Sequence, residues 1–184
     1  MAAGTETDGP PRSLLIAAVA VAVVAILGVL VVAAVRQLPE QLQPVPVTPV
    51  PAPRAASPEC RALLGAVPER LGDYRRAPVV EPAPAGTAAW QAAPDAEPII
   101  LRCGLDRPAE FVVGAPIQVV DPVQWFKVSD PGGETGRSTW FAVDRGVYIA
   151  LTLPSGSGPT PIQQISEVVA RTIPARPIDP AQAR

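Results

Sequence analysis

The sequence contains no histidine and no asparagine, and Lys127 is its only lysine. Without histidine the chain has no Ser-His-Asp or Cys-His catalytic arrangement and no histidine-based metal site. Its two cysteines lie 43 positions apart, which is not the spacing of a zinc site. From Arg36 onward 14 basic residues face 15 acidic ones, so no positive field attracts nucleic acid. We therefore expect no metal, no cofactor and no nucleic-acid partner.

An uncharged apolar run of 22 residues begins at Leu14 and ends at Val35. As a helix it extends about 33 Å, enough to cross the hydrocarbon core of a bilayer. A removable signal peptide usually has an apolar core of only about 7 to 15 residues. The length therefore predicts a retained signal anchor over 14–35 that contacts the lipid bilayer. The small residues 32–34 keep cleavage before Val35 open as the alternative.

The orientation of this anchor does not follow from charge, because the basic residues that flank the run are nearly balanced. The 13-residue tail before the run is too short to fold, whereas the chain after it carries a cysteine pair suited to an oxidising compartment. We expect a single-pass protein of the cell membrane, with residues 1–13 in the cytoplasm and the rest outside it.

Residues 36–57 are rich in proline, at positions 39, 44, 46, 49, 51 and 53. Proline at this density favours extended polyproline II, so the segment is predicted to be a stiff linker. A ligand for proline-recognising domains is the alternative, but its repeats lack the arginine that such ligands often carry.

One folded domain is predicted over 58–174, followed by a disordered tail over 175–184. Ser57 and Pro58 have the residue types that begin a helix, and Cys60 lies on that helix's apolar face. The run 99–104 alternates as a strand and places Ile99, Leu101 and Cys103 on one face, with Arg102 on the other. A disulfide between Cys60 and Cys103 is the economical interpretation. A reactive thiol at Cys103 is the alternative, although it lacks an activating base.

Further strands are predicted over 118–120, 123–128, 138–143 and 147–153, with turn residues between them. Short connections imply antiparallel pairing. A second helix follows from position 160, with one apolar stripe that ends before Pro174. The fold class is therefore α+β: an N-terminal transmembrane helix, then a small domain of four- or five-stranded antiparallel sheet with helices packed on one face. The stretch that holds Trp90 is expected to be a loop.

Two aromatic pairs, Trp125 with Phe126 and Trp140 with Phe141, occupy successive strand positions. In each pair one ring must face the helices and the other must face away. All four are candidate partner-binding residues. The alternative is that the loop 104–118 covers the outward rings.

Several motifs together resemble an actinobacterial family of membrane-anchored envelope proteins, domain-of-unknown-function family 3515. They occur in the family's order: CRALL (60–64), AAW (88–90), IILRCG (99–104), VQW (123–125), WFAVDR (140–145) and YIALTLP (148–154). The resemblance covers the anchor, the linker and nearly all of the outer domain. It implies an actinobacterial envelope location, and no catalytic residue or ligand.

Carboxylates near strand ends are the one catalytic option that composition leaves: Asp121, Asp130, Glu134 and Asp144. Each lies beside a turn, where solvated acidic residues are common, so we expect no enzyme. The predicted function is an extracytoplasmic binding module of the cell envelope with an envelope protein as partner. A small-ligand or lipid carrier is the alternative, and a carboxylate-dependent enzyme is the less favoured one.

Overall fold

The structure is a computed structural model that describes residues 12–36, 41–129 and 136–183. Contacts divide the chain into two units, residues 1–40 and residues 41–184. The expected cytoplasmic tail lies outside the described residues except for its last two positions. Asp130, Glu134 and positions 37–40 of the predicted linker also lie outside them.

Helix α1 (Arg12–Arg36) is the predicted apolar helix. Its segment Arg12–Ala33 has a mean hydropathy of 3.2 and exposed side chains throughout. By length and composition the helix can cross a membrane.

The second unit contains one antiparallel sheet of eight strands in the described residues. Its spatial order is β1-β2-β3-β4-β8-β7-β6-β5, with β4 and β8 at the centre. The strands are β1 (Arg70–Leu71), β2 (Tyr74–Ala77), β3 (Thr87–Gln91), β4 (Ile99–Leu105), β5 (Ile117–Val120), β6 (Val123–Ser129), β7 (Ser138–Ala142) and β8 (Tyr148–Leu153). The α+β class is confirmed.

Helices α2 (Pro58–Ala66) and α3 (Thr160–Thr172) pack together and contribute to one apolar core on one face of the sheet, called the inner face here. Ser57 begins α2 as predicted, since its hydroxyl accepts a hydrogen bond from the Cys60 backbone N–H at 3.2 Å. The core also holds Ile99, Leu101 and Cys103, so the alternation predicted for β4 is correct.

The disulfide between Cys60 and Cys103 is present and joins α2 to the central strand β4. Both residues are fully buried. In the chain-entropy account a bridge over 43 positions stabilises a fold by about 4 kcal/mol.

Strands β1, β2 and β3 were not predicted, and the expected loop around Trp90 is wrong. Trp90 lies in β3, fully buried, and its indole N–H donates to the Pro68 carbonyl at 2.9 Å. Alanine-rich and arginine-rich segments have low strand propensity, but pairing with β4 along residues 87–90 overrides it. Eight strands therefore replace the expected four or five.

The linker prediction is also wrong from residue 41 onward. Val45 and Val47 are buried against Ala77, Ala89 and Ile100, on the face opposite the helices, called the outer face here. The Val45 N–H donates to the Pro78 carbonyl at 2.8 Å, as in a short parallel pairing. The proline-rich segment is thus a cover for the sheet, because its valines alternate with the prolines and present an apolar edge.

The tail after α3 is ordered as well, contrary to the prediction. Ala181 exchanges backbone hydrogen bonds with Phe111 and Val113, and Arg176 donates its N–H to the Asp144 carbonyl at 2.7 Å. These bonds tie residues 176–181 to the loop 106–116 and to the β7–β8 turn.

A β-bulge at Gly104 lets the segment 41–57 approach the sheet. Gly104 has φ +89° and its carbonyl accepts the Arg54 N–H at 3.0 Å. The register shift there pairs Leu105 with Tyr148, so Leu105 lies on the outer face. A Cβ at position 104 would collide with the backbone of Arg54 and Ala55.

We predict that Gly104→Ala destabilises the chain more than Gly114→Ala. Both glycines have φ near +90°, where alanine costs about 1–2 kcal/mol, but no atom lies within 4 Å of a Cβ at position 114. The collision at position 104 should add about 1–3 kcal/mol. Urea unfolding of the two variants measures the difference. Equal losses would show that the segment 41–57 does not pack at the bulge.

Candidate functional site

The outer face of the sheet is covered by two different stretches of chain. The first cover is the segment 41–57, through Val45 and Val47. The second is the loop 106–116, whose Phe111 is buried against Phe126, with ring centroids 5.4 Å apart. Between the covers a strip of β4, β8 and β7 remains accessible and forms the floor of a cleft.

This outer-face cleft has a volume of about 440 Å³. Val50 and Pro51 line it from the first cover, and Asp106 and Pro108 line it from the second. The sheet contributes Arg102, Leu105, Thr139, Phe141, Ala150 and Thr152. Its size lies in the range of small-molecule sites, roughly 300–1,000 Å³.

Arg102 is the charged residue that the sheet contributes to the cleft. Its side chain emerges from the middle of β4, between Thr87 on β3 and Ala150 on β8. The Arg102 Nε is buried and has no hydrogen-bond partner, and Arg102 forms no ion pair with any described residue. Burial lowers the pKa of the Arg102 guanidinium, and the positive charge of Arg137 lowers it further.

Two hydroxyl groups lie on the cleft floor. Thr139 Oγ1 and Thr152 Oγ1 are 3.1 Å apart across β7 and β8, and either can donate. Since one hydroxyl hydrogen satisfies this bond, the other hydrogen remains available to an acceptor in the cleft.

The four aromatic candidates divide between the two faces. Trp125 and Trp140 face the helices, and Phe126 and Phe141 lie on the outer face. Trp125 is fully buried and donates to Ser166 Oγ at 2.9 Å. Phe126 is only 5% exposed beneath Phe111, so the loop over 104–118 covers it. Phe141 remains half-buried and lines the outer-face cleft.

Trp140 lines a second concavity, of about 560 Å³, on the inner face between β5, β7 and the start of α3. Its ring lies 5.2 Å from Lys127 Nζ, a cation–π contact. The turn over 154–159 forms the opposite wall. Among the described residues that line it, the exposed Asp121 is the only one with an ionisable side chain, and the other polar side chains are neutral serines and glutamines.

Asp144 does not fit the expectation of a solvated turn carboxylate, because it is 3% exposed. Its Oδ1 accepts the Arg145 Nε–H at 3.2 Å, and its Oδ2 accepts the Gln124 N–H at 3.2 Å. Arg145, equally buried, donates to the backbone carbonyls of Ile173 and Pro122. Both side chains are therefore occupied in holding the β7–β8 turn against the β5–β6 turn and the end of α3.

Sequence reasoning placed Arg102 on the correct face of its strand but did not recognise it as a site residue. The signal was present, because an arginine interrupts the apolar run of a central strand. The described part of the chain has no group of three or more His, Cys, Asp or Glu residues placed to hold a metal ion.

A family model matches most of this chain. The family is described as "Protein of unknown function (DUF3515)", and its match covers residues 19–178. The chain belongs to that family. Searches of the curated proteins and of the solved structures find no match. The match includes most of α1 and all of the sheet, so it covers both the apolar helix and the strands that line the cleft.

We predict that Asp144→Asn lowers the free energy of unfolding by about 3 kcal/mol, because it leaves Arg145 as an unpaired buried charge. Asp121→Asn is the matched control. Asp121 is exposed, and asparagine tolerates its φ of +48°, so the change should cost less than about 0.5 kcal/mol. Urea unfolding of both variants checks this. If the two variants are equally stable, Asp144 does not have the structural role assigned to it.

Proposed function

We propose that this protein is a single-pass membrane protein whose sheet domain lies outside the cytoplasm, in the cell envelope, and works by binding. The outer-face cleft carries the proposal. It is a concave, largely apolar surface with a few polar groups, which is the usual composition of a ligand site. No enzymatic activity is part of the proposal, since the buried carboxylate Asp144 is occupied in a turn.

Two features support the location. Helix α1 is long and apolar enough to anchor the chain. The Cys60–Cys103 bond is typical of proteins in oxidising compartments and is rare in the cytosol. Together they favour an anchor that leaves the domain on the exported side.

The position of the aromatic rings bears on the kind of binding. Two exposed outward rings on a flat surface would favour a protein partner. Instead Phe126 is covered, and Phe141 forms part of a cleft. This favours a ligand that enters the cleft, whether a small molecule or a protruding side chain of an envelope protein.

The location is tested by fusing alkaline phosphatase, or green fluorescent protein, after residue 184 of the full chain. We expect the phosphatase fusion to be active, because the enzyme needs an oxidising compartment for its disulfides, and the fluorescent fusion to be dark. Both should stay in the membrane pellet after an alkaline wash. Matched fusions that lack residues 14–35 should reverse both signals. A fluorescent, phosphatase-inactive full chain would contradict the orientation.

Binding is tested by photocrosslinking in intact cells with p-benzoylphenylalanine in place of Phe141. Replacement of Phe126 is the matched control, since that ring lies on the same face but is covered. We expect an adduct from position 141 above the level from position 126. A shift on a gel identifies a protein partner, and a small increase in intact mass identifies a small ligand. Equal levels from both positions would contradict a binding role for the cleft.

A further inference from the structure

The position of Arg102 requires an explanation that the fold does not supply. The residue lies on a central strand whose other side chains, apart from the glycine of the bulge, are apolar or cysteine. The Arg102 side chain is half-buried, with its Nε shielded from solvent, and a charge withdrawn from water is normally paired because its desolvation costs free energy. Arg145, which is buried more deeply than Arg102, has one carboxylate and two carbonyl partners.

The charges around Arg102 do not compensate it. Arg137, also positive, is the charged neighbour that acts on it, and Arg137 itself pairs with Glu97. Asp106 lines the same cleft but forms no ion pair with Arg102. Among the described residues, the Arg102 guanidinium therefore has no ion-pair partner, and it borders an open space of about 440 Å³.

Much of the remaining cleft lining is apolar. Leu105, Phe141 and Ala150 contribute apolar surface from three adjacent strands, and Val50 with Pro51 contributes it from the first cover. A hydrated inorganic anion would satisfy Arg102 but would leave these surfaces wet. A purely apolar ligand would cover them but would leave the guanidinium unpaired.

Resting on the proposed binding function, we propose that the outer-face cleft binds a small amphipathic anion. Its carboxylate or phosphate group is held by Arg102, and its apolar portion lies against Phe141, Leu105 and Ala150. The guanidinium can bind such a group through two parallel hydrogen bonds. The spare hydroxyl hydrogen of the Thr139–Thr152 pair is a further donor on the same floor.

The membrane anchor supports this ligand class. A chain held at a bilayer is close to amphipathic anions, since membranes contain anionic lipids. Asp106 opposes binding of any anion in the cleft by like-charge repulsion, so its contribution can be tested separately from that of Arg102.

The test uses the full chain in nanodiscs of zwitterionic lipid, with empty nanodiscs subtracted, and isothermal titration calorimetry. Four probes separate the need for a negative charge from the need for an apolar chain: octanoate, octyl phosphate, octanol and inorganic phosphate. We expect octanoate and octyl phosphate to bind at least about tenfold more tightly than octanol or inorganic phosphate, because only they satisfy both the cation and the apolar wall. The ratio of octanoate to octyl phosphate affinity shows which headgroup the site prefers.

Substitutions assign the binding to Arg102. Arg102→Gln should weaken octanoate binding about tenfold or more, and Arg102→Lys should weaken it less, because lysine keeps the charge and loses the paired hydrogen bonds. Asp106→Asn should tighten it. Arg171→Gln, on α3 at the inner face, removes the same charge and should leave the affinity unchanged. The melting temperature of Arg102→Gln should not fall, because Arg102 has no ion-pair partner among the described residues to lose.

Each failure has its own signature. Equal octanoate affinity for the wild type and Arg102→Gln overturns the assignment of Arg102, even if crosslinking from position 141 shows that the cleft is occupied. Inorganic phosphate binding as tightly as octyl phosphate overturns the amphipathic ligand. Absence of binding by all four probes together with a protein-sized crosslink from position 141 overturns the inference and leaves the proposed binding function standing. If none of the four probes binds and position 141 gives no crosslink, the inference and the proposed function are both wrong.

Discussion

Burial of the central strand β4 on both faces is the constraint on which the rest of the domain depends. An antiparallel sheet can leave one face in water, and its strands then alternate between apolar and polar residues. Here Ile99, Leu101 and Cys103 require cover on the inner face, and Ile100 requires cover on the outer face. The two helices supply the first cover. The second is assembled from irregular chain, since the described parts of residues 41–183 form no helix besides α2 and α3.

Irregular covers must satisfy their own backbone groups, and this explains the composition of the segment 41–57. Proline has no N–H to satisfy and loses little freedom on ordering, so a proline-rich segment can lie on a sheet at low cost. Val45 supplies two of the backbone bonds that fix it, to Pro78 and to Val80, and Arg54 donates a third to the Gly104 carbonyl. Because Gly104 has no Cβ, the segment can pass close to the backbone of β4, the strand that carries Cys103. A segment whose composition predicts a linker is thus part of the fold from residue 41 onward.

The features predicted from sequence are those that local patterns determine. Period-two alternation assigned the faces of β4, and turn residues delimited β5 to β8 to within about one residue. Ser57 and Pro58 marked the start of α2. The Cys60–Cys103 pairing followed because each cysteine lies on an apolar face.

The features that were not predicted depend on distant partners. Strand β3 forms from an alanine-rich segment because β4 offers it a hydrogen-bonded edge. Asp144 is buried because Arg145, Gln124 and the end of α3 converge on it, which turn statistics at positions 144–146 do not contain. Arg102 presents the same difficulty in reverse. A strand pattern can show that an arginine faces the outer side, but only the folded chain shows that none of the described carboxylates pairs with it.

The contrast between these two arginines is informative about the cleft. Arg145 has full pairing, as expected for a cation that supports the structure. Arg102 lies near the Cys60–Cys103 bond and on a strand held from both faces, where the scaffold is most constrained. Sites that bind ligands commonly keep unpaired or perturbed groups, and they rely on the surrounding structure to tolerate the cost. A covalent bridge worth about 4 kcal/mol beside the uncompensated cation is consistent with that division of roles. The disulfide and the two covers stabilise the strand, and the strand in turn presents a positive charge in an apolar cleft.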